Sequence, residues 1–393
     1  MSETVPSVTP AALDERLWAG DPTVILDVRG RDEFERWHVE GPGVEEIQAS
    51  HAKFVAASVM GDVDDHARSV GLDPADRIVV VCGHGEASDE VAGMLADAGY
   101  DAANLAGGMN AWAGLVVAGE MTTSGEAPTV VQYRRPSSGC LSYLVVSADE
   151  AAVIDPLRAF ADRYVTDAED RGADLVAAVD THVHADHVSG LPVLAREGVE
   201  AVVPAGAVER DLDLAVETRH LSPDESVAVG ATALSAYPLP GHTTEMTGLR
   251  LERADDPDLL FCGDSLFRAA VARPDLEAGT AGATALAERL YETLHDRLLS
   301  LPDETVVLPG HYASPGEVED GLVSTTVGAA RTRDLFTRSR NAFVDRVSSS
   351  MPPRPANYER IIAVNLGHAT VADGEAFELE LGPNSCAAGG TAD

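Results

Sequence analysis

Residues 181–187 read Thr-His-Val-His-Ala-Asp-His, so three histidines and one aspartate fall within six positions. Neutral imidazole and carboxylate are donors that suit zinc, iron and manganese. Three more segments carry one such donor each: Leu239-Pro240-Gly241-His242, Phe261-Cys262-Gly263-Asp264 and Leu308-Pro309-Gly310-His311. In each, a glycine beside the donor lets the backbone turn sharply. A single histidine or aspartate in a loop is usually only solvated. Four such sites in this order predict a metal centre.

A thiol offers a second chemistry. Cys82 ends the apolar run that starts at Arg77 and opens the stretch Cys-Gly-His-Gly-Glu-Ala-Ser. A helix pattern follows, with Val91, Met94, Leu95 and Ala98 in phase and Ser88 as its expected N-cap. A sulfur placed there faces backbone N–H groups and a helix N-terminus. Both stabilise an anion, whether thiolate or persulfide. Cys140, Cys262 and Cys386 complete the set of four cysteines, and their spacing fits no zinc ribbon or disulfide framework. Cys262, two residues before Asp264, is close enough to approach the metal and is read either as supporting a ligand or as packing. Cys140 and Cys386 carry no assignment.

The elements that must position these groups fall into two blocks. Up to about residue 118, short apolar runs (Thr23–Val28, Arg77–Val81, Ala103–Leu105) alternate with helical stretches, which predicts a parallel sheet covered by helices. Residues 119–127 are polar and read as a linker. From 128 to 368 strands come in runs: Thr129–Tyr133, Leu141–Val146, Ala151–Ile154, Leu175–Val179, Glu200–Val203, Glu225–Val229, Thr232–Tyr237, Gly248–Leu251, Leu259–Phe261 and Thr305–Leu308. Helices are expected near 156–173 and 283–300. This pattern predicts two mixed sheets packed together with helices outside. Residues 369–393 are read as a tail, frayed from about Gly382.

Composition narrows the setting. Lys+Arg total 28 against 65 Asp+Glu, a formal charge of −37. The acids are spread along the chain, and Lys53 is the only lysine. Such a surface resembles proteins of salt-loving microbes, where the screening length falls to about 3 Å at 1 M salt. No basic stripe exists to neutralise nucleic-acid phosphates. No apolar run approaches the roughly 20 residues of a membrane span, and the polar start lacks the pattern of a secretory signal. The cytoplasm is the expected location. Whether the chain forms a homo-oligomer is left open.

The ordered donors His182, His184, Asp186, His187, His242, Asp264 and His311 resemble the ligand series of the metallo-β-lactamase superfamily, and Asp155 resembles its early aspartate, which supports the metal loop. The resemblance implies an αββα sandwich over about residues 128–367. Asp27-Val28-Arg29, Trp37 to Gly41, Cys82 and Leu105 to Trp112 resemble the signatures of rhodanese-like domains, an α/β fold. Within the superfamily, Phe267–Asp275, Pro355–Asn365 and Gly139–Leu144 resemble persulfide dioxygenases. That implies one Fe(II) per chain on His182, His242 and Asp264, three open positions, a small thiol persulfide and O2 as reactants, and Arg273 as the clamp for a substrate carboxylate. Cys82 is then the sulfur acceptor. Glyoxalase-type thioester hydrolases share the donors and imply instead zinc, one or two per chain, with His184, Asp186, His187 and His311 as additional or second-metal ligands. A non-catalytic sulfur carrier is the third reading. The thiol loop departs from the rhodanese pattern: Ala87 stands where many members carry an arginine, leaving His84 or Arg29 to supply positive charge.

Overall fold

The apolar run at Thr23–Asp27 is buried at every position, as a parallel strand covered on both faces must be. In the computed structural model, which describes residues 5–122, 124, 127–312, 315–349, 351, 353–382 and 386–388, it lies in a five-stranded all-parallel sheet. The order is Ser7–Val8, Asp101–Leu105, Arg77–Val81, Thr23–Asp27, Val44–Gln48. Alternate residues feed two separate cores. Val24, Leu26, Ile78 and Val80 pack with Val91 and Leu95 of the helix Glu86–Asp97. Ile25, Val79 and Val81 pack on the other face with Met109 and Trp112. This unit runs essentially to Val117. Its sulfur-facing helix starts at Glu86, two residues earlier than Ser88. Gly85 takes the N-cap with φ +107°, a conformation that costs a side-chain-bearing residue energy.

The second unit, from Ala118 onward, is built on two mixed sheets. Seven strands run in the order Thr218–Leu221, Glu200–Pro204, Asp174–Val179, Glu150–Ile154, Leu141–Ser147, Thr129–Arg134, Val117–Glu120. Six run Ser226–Val229, Thr232–Pro238, Thr247–Leu251, Leu259–Gly263, Val306–Pro309, Thr325–Thr326. Val145, Ile154, Val179 and Val202 meet Leu234, Leu249, Phe261 and Leu308 between them. Outside the second sheet, Leu260 and Val307 pack with Leu290 and Leu294 of the helix Gly279–Asp296 and with Phe343 and Val347. On the first sheet, Ala161–Glu169 packs against Asp174–Val179. The layers are helix, sheet, sheet, helix.

Three expectations are corrected. The stretch read as a linker begins inside the edge strand Val117–Glu120, whose polar residues suit an edge exposed on one side. The helix expected at 156–173 is a short 3-10 turn, Arg158–Phe160, followed by Ala161–Glu169. The tail is partly ordered. A helix spans Asp373–Leu379, and Ala387–Ala388 pairs antiparallel with Val271–Ala272. Cys386 and Ala388 are small apolar residues that bury fully against that strand, which removes the reason to fray. Residues 383–385 and 389–393 of the tail lie outside the described residues. No helix among those described is long and apolar enough to cross a membrane.

Candidate metal centre and thiol site

Strand Asp174–Val179 lies next to Glu150–Ile154 in parallel register, so both strand ends open on the same edge. Asp155 leaves the second with φ +51°, an uncommon conformation for aspartate. In that pose its carboxylate accepts hydrogen bonds from the Thr181 N–H at 2.7 Å and the Thr181 hydroxyl at 3.0 Å, and meets His184 Nε2 at 3.2 Å. The histidine loop is thereby pinned at its root. Residues 180–190 are all buried. Glu245, buried and paired with Arg210 at 2.6 Å, accepts the Val183 N–H at 2.9 Å. Asn365 closes the loop from the helix Tyr358–Asn365: its amide donates to the carbonyls of His184 (2.9 Å) and His187 (2.8 Å) and accepts from the Ser189 N–H (2.9 Å).

The loop brings His182 to His242 and Asp264. Asp264 Oδ2 lies 3.9 Å from His182 Nε2 and 3.7 Å from His242 Nε2. One ligand atom from each of the three falls within 4.8 Å of the others. The remaining polar atoms of these groups are already used. His182 Nδ1 meets the Thr181 hydroxyl at 2.9 Å, His242 Nδ1 donates to the Arg273 carbonyl at 2.8 Å, and Asp264 Oδ1 faces His311 Nδ1 at 3.4 Å. Yet His182 Nε2, His242 Nε2 and Asp264 Oδ2 make no hydrogen bond among the described residues, although all three are buried. Buried polar atoms left without partners are costly. Three of them aimed at one point fit a bound cation, with the outer contacts fixing ring orientation. Burial and the neighbouring His184 hold His182 well below the ordinary histidine range, so its imidazole is neutral and free to ligate. Burial would raise Asp264, but His311, His182 and His242 outweigh it and keep the carboxylate ionised.

The additional expected donors are nearby but divided. Asp186, His187 and His311 gather around a different point: His187 Nδ1 is 2.8 Å and His311 Nε2 3.5 Å from Asp186 Oδ2. His184 turns its Nε2 to Asp155 and, at 3.8 Å, Asp180. Two cysteines without sequence assignments join these groups. Cys140 belongs with Asp186 and His187, and Cys386 with Asp264 and His311. Only for Cys140 did the sequence hold a usable signal, the Gly139-Cys140 pair at a strand entrance. Cys262 is packing: its thiol donates to the Leu266 carbonyl at 3.2 Å, and burial pushes its pKa up to about 12.

Arg273, the expected substrate clamp, is held on several sides by the protein itself. It is buried, and its guanidinium pairs with Asp275 two residues on (2.8 and 3.3 Å) and donates to the Pro353 carbonyl (2.9 Å). A buried guanidinium needs such a counter-charge. Its contribution to the centre is through the backbone carbonyl that holds His242.

Asn365 yields a prediction. Asn365→Ala removes three hydrogen bonds to the histidine loop and leaves buried backbone groups unpaired. Unfolding free energy is expected to fall by about 2–4 kcal/mol in thermal melts, and metal affinity by roughly 10–100-fold in chelator competition.

In the first unit, Cys82 is buried at the end of Arg77–Val81. Its sulfur accepts from the Gly85 N–H at 3.0 Å and from the Ser88 hydroxyl at 3.1 Å. Ser88 is thus no cap but a sulfur contact, tied also to Asn104 at 2.7 Å. Arg29 does not compensate for Ala87, because it is buried against Asp27 at 2.6 Å and the Trp37 carbonyl. His84 is exposed and meets Asn110 at 3.1 Å.

Comparison with known proteins agrees with this division. Residues 9–115 match the rhodanese-like domain family, and residues 135–311 match the metallo-beta-lactamase superfamily. Mitochondrial persulfide dioxygenase ETHE1 of Mus musculus is 27% identical over 253 residues, 63% of this chain and 91% of that protein. A hydroxyacylglutathione hydrolase of Parasynechococcus marenigrum is 32% identical over 179 residues, 45% of this chain and 67% of that protein. Among solved structures, ETHE1 from Myxococcus xanthus aligns with a TM-score of 0.51 at 24% identity, covering 61% of this chain and 98% of that one. A metallo-beta-lactamase from Staphylococcus aureus aligns with a TM-score of 0.57 at 24% identity, covering 63% and 74%. At these identities the structures speak to the fold alone.

Proposed function

Because the chain belongs to the metallo-β-lactamase superfamily and carries a rhodanese-like domain ahead of it, we propose that it is a persulfide dioxygenase that oxidises a small thiol persulfide. The balanced reaction is one persulfide, one O2 and one water to one free thiol and one sulfurous acid, which ionises to sulfite. The observation that carries the reading is the trio of unpartnered buried atoms on His182, His242 and Asp264. Two imidazoles and one carboxylate form the set that suits ferrous iron with open positions, and iron so held supplies activation of oxygen and of the persulfide sulfur. Thr181, the Arg273 carbonyl and His311 orient the three donors. The buried loop keeps water from the donors' backs. The mitochondrial persulfide dioxygenases among the relatives, matched over 89–91% of their own length, support the choice of reaction. In the first domain Cys82 is assigned the transferable sulfur, with the Gly85 N–H and the Ser88 hydroxyl as its donors. The acidic surface suits a high-salt cytoplasm.

A hydroxyacyl-thioester hydrolase is the second reading. It is favoured by the gathering of Asp186, His187 and His311 beside the triad, and by the hydrolases among the relatives. One experiment separates them. Protein purified without oxygen is analysed for metals, then given a small-molecule persulfide at an oxygen electrode. One iron per chain with stoichiometric oxygen uptake and sulfite is expected. Thioester hydrolysis without oxygen uptake would overturn the proposal.

A further inference from the structure

Asn104 has no role so far, and a strand inside a sheet is a place where asparagine is rare. It belongs to Asp101–Leu105, second in the parallel sheet, with Val80 beside it on one flank and Ser7 on the other. Its side chain is buried on the face where Ala102 and Val80 join the core. Burying an amide in such a wall is costly unless its hydrogen bonds are used. Among the described residues this side chain meets one partner, the Ser88 hydroxyl, 2.7 Å from Asn104 Oδ1.

Three contacts cross at Ser88. Its Oγ lies 3.1 Å from Cys82 Sγ, 3.1 Å from the Gly85 carbonyl and 2.7 Å from Asn104 Oδ1. A hydroxyl has one proton to give and two lone pairs to receive, so it cannot donate to all three. While Cys82 carries its own proton, the S–H donates to Ser88 Oγ and the Ser88 proton goes to Asn104. Once Cys82 is a thiolate, the Ser88 proton must turn to the sulfur. Two oxygens 2.7 Å apart then face each other with no proton between them. An amide relieves this by turning end for end, which puts Nδ2 and its protons where Oδ1 was. The chain then runs from the Asn104 N–H to Ser88 Oγ and from the Ser88 O–H to Cys82 Sγ, each bond strengthening the next.

We infer that Asn104 is a positioning residue for Cys82, its amide reversing with the charge on the sulfur so that Ser88 aims its proton at the thiolate. The inference rests on the reading of Cys82 as the sulfur acceptor. In that step the thiolate attacks the outer sulfur of a donor persulfide R–S–SH, forming Cys82–S–SH and releasing R–S⁻. Sγ is then uncharged, and the Ser88 proton returns to Asn104. Neutral donors matter here because, among the described residues, the sulfur makes no hydrogen bond to a charged side chain. Arg29 is held by Asp27, His51 by Glu90 and His84 by Asn110, while Glu86 and Asp89 of the following helix are exposed.

A double-mutant cycle on the full-length protein tests the inference, read on the Cys82 peptide by mass spectrometry. Two rates are followed: loading from a small-molecule persulfide, and alkylation by iodoacetamide as a function of pH. Asn104→Leu is expected to slow loading roughly three- to tenfold and to move the midpoint of the alkylation profile up by about half a pH unit. Asn104→Asp, which accepts but never donates, should slow loading by about tenfold or more. In a Ser88→Ala background, Asn104→Leu should change either rate by less than about twofold. Equal losses with and without Ser88, or parental rates in Asn104→Leu or Asn104→Asp, overturn the inference. Thermal melts accompany each variant, and should leucine unfold the domain, Asn104→Ala takes its place in the cycle. If wild-type Cys82 gains no sulfur, the sulfur-acceptor reading fails, and the alkylation cycle alone judges the amide.

Discussion

Asp264→Asn is expected to lose its bound metal and at least a thousandfold in persulfide-dependent oxygen uptake. The substitution keeps the size of the side chain and removes its charge. Asp264 supplies the only carboxylate of the triad, and its Oδ2 is the atom that both His182 Nε2 and His242 Nε2 approach. Without the negative charge, a divalent ion at this buried point lies against two neutral donors and an amide. Metal assistance is worth several kcal/mol in the transition state, and each 1.36 kcal/mol or so is a factor of ten in rate. The fold is expected to persist. Asp264 lies beyond the strand Leu259–Gly263, whose partners are set by Leu249, Phe261 and Leu308 in the inter-sheet core. The measurements are elemental analysis, an oxygen electrode and far-ultraviolet circular dichroism on the same sample. A variant that retained one iron per chain and activity within tenfold of the parent would remove the triad from the mechanism.

Cys82→Ser is expected to abolish sulfur loading of the first domain. Sulfur transfer needs the Cys82 thiolate to attack the donor's outer sulfur, form a sulfur–sulfur bond and release the donor as its thiolate or sulfite. A serine hydroxyl cannot form that bond. Mass spectrometry after exposure to a persulfide donor should find one added sulfur on the peptide bearing Cys82, and none in the variant, a loss to background. Ser88→Ala removes one hydrogen bond to an anionic sulfur, worth about 1.5–3 kcal/mol, and should slow loading roughly 10–100-fold. Ala87→Arg restores positive charge to the loop and is expected to raise turnover of dianionic thiosulfate about tenfold. Loading of another cysteine in Cys82→Ser at the parental rate would show that the acceptor has been misassigned.

Much of this organisation is legible in the amino-acid sequence. Runs such as Thr23–Val28 and Arg77–Val81 announced parallel strands because both faces of that sheet are covered and every position had to be apolar. The Thr181–His187 cluster announced a metal loop because so many costly donors rarely lie together by chance. Other features depended on partners remote in sequence. The guanidinium of Arg273 meets the Pro353 carbonyl, 80 positions along the chain, as well as its near neighbour Asp275. The tail read as frayed because its composition is small and polar, yet it holds a strand against Val271–Ala272. Ser88 is a residue type suited to a helix cap, but Gly85 takes the cap and Ser88 lies three residues further in, against the sulfur.

The amino-acid sequence by itself determined the two folds, the order of the donors and the thiol at a strand end, since these follow from local periodicity and residue chemistry. Only the tertiary structure decided which donors share a point. Asp264 and His311 reach the histidine loop because Leu259–Gly263 and Val306–Pro309 lie side by side in one sheet, and Cys140 reaches His311 because Gly139 admits a neighbouring backbone. Such meetings are set by strand register between segments far apart in the chain, and no local pattern encodes that register.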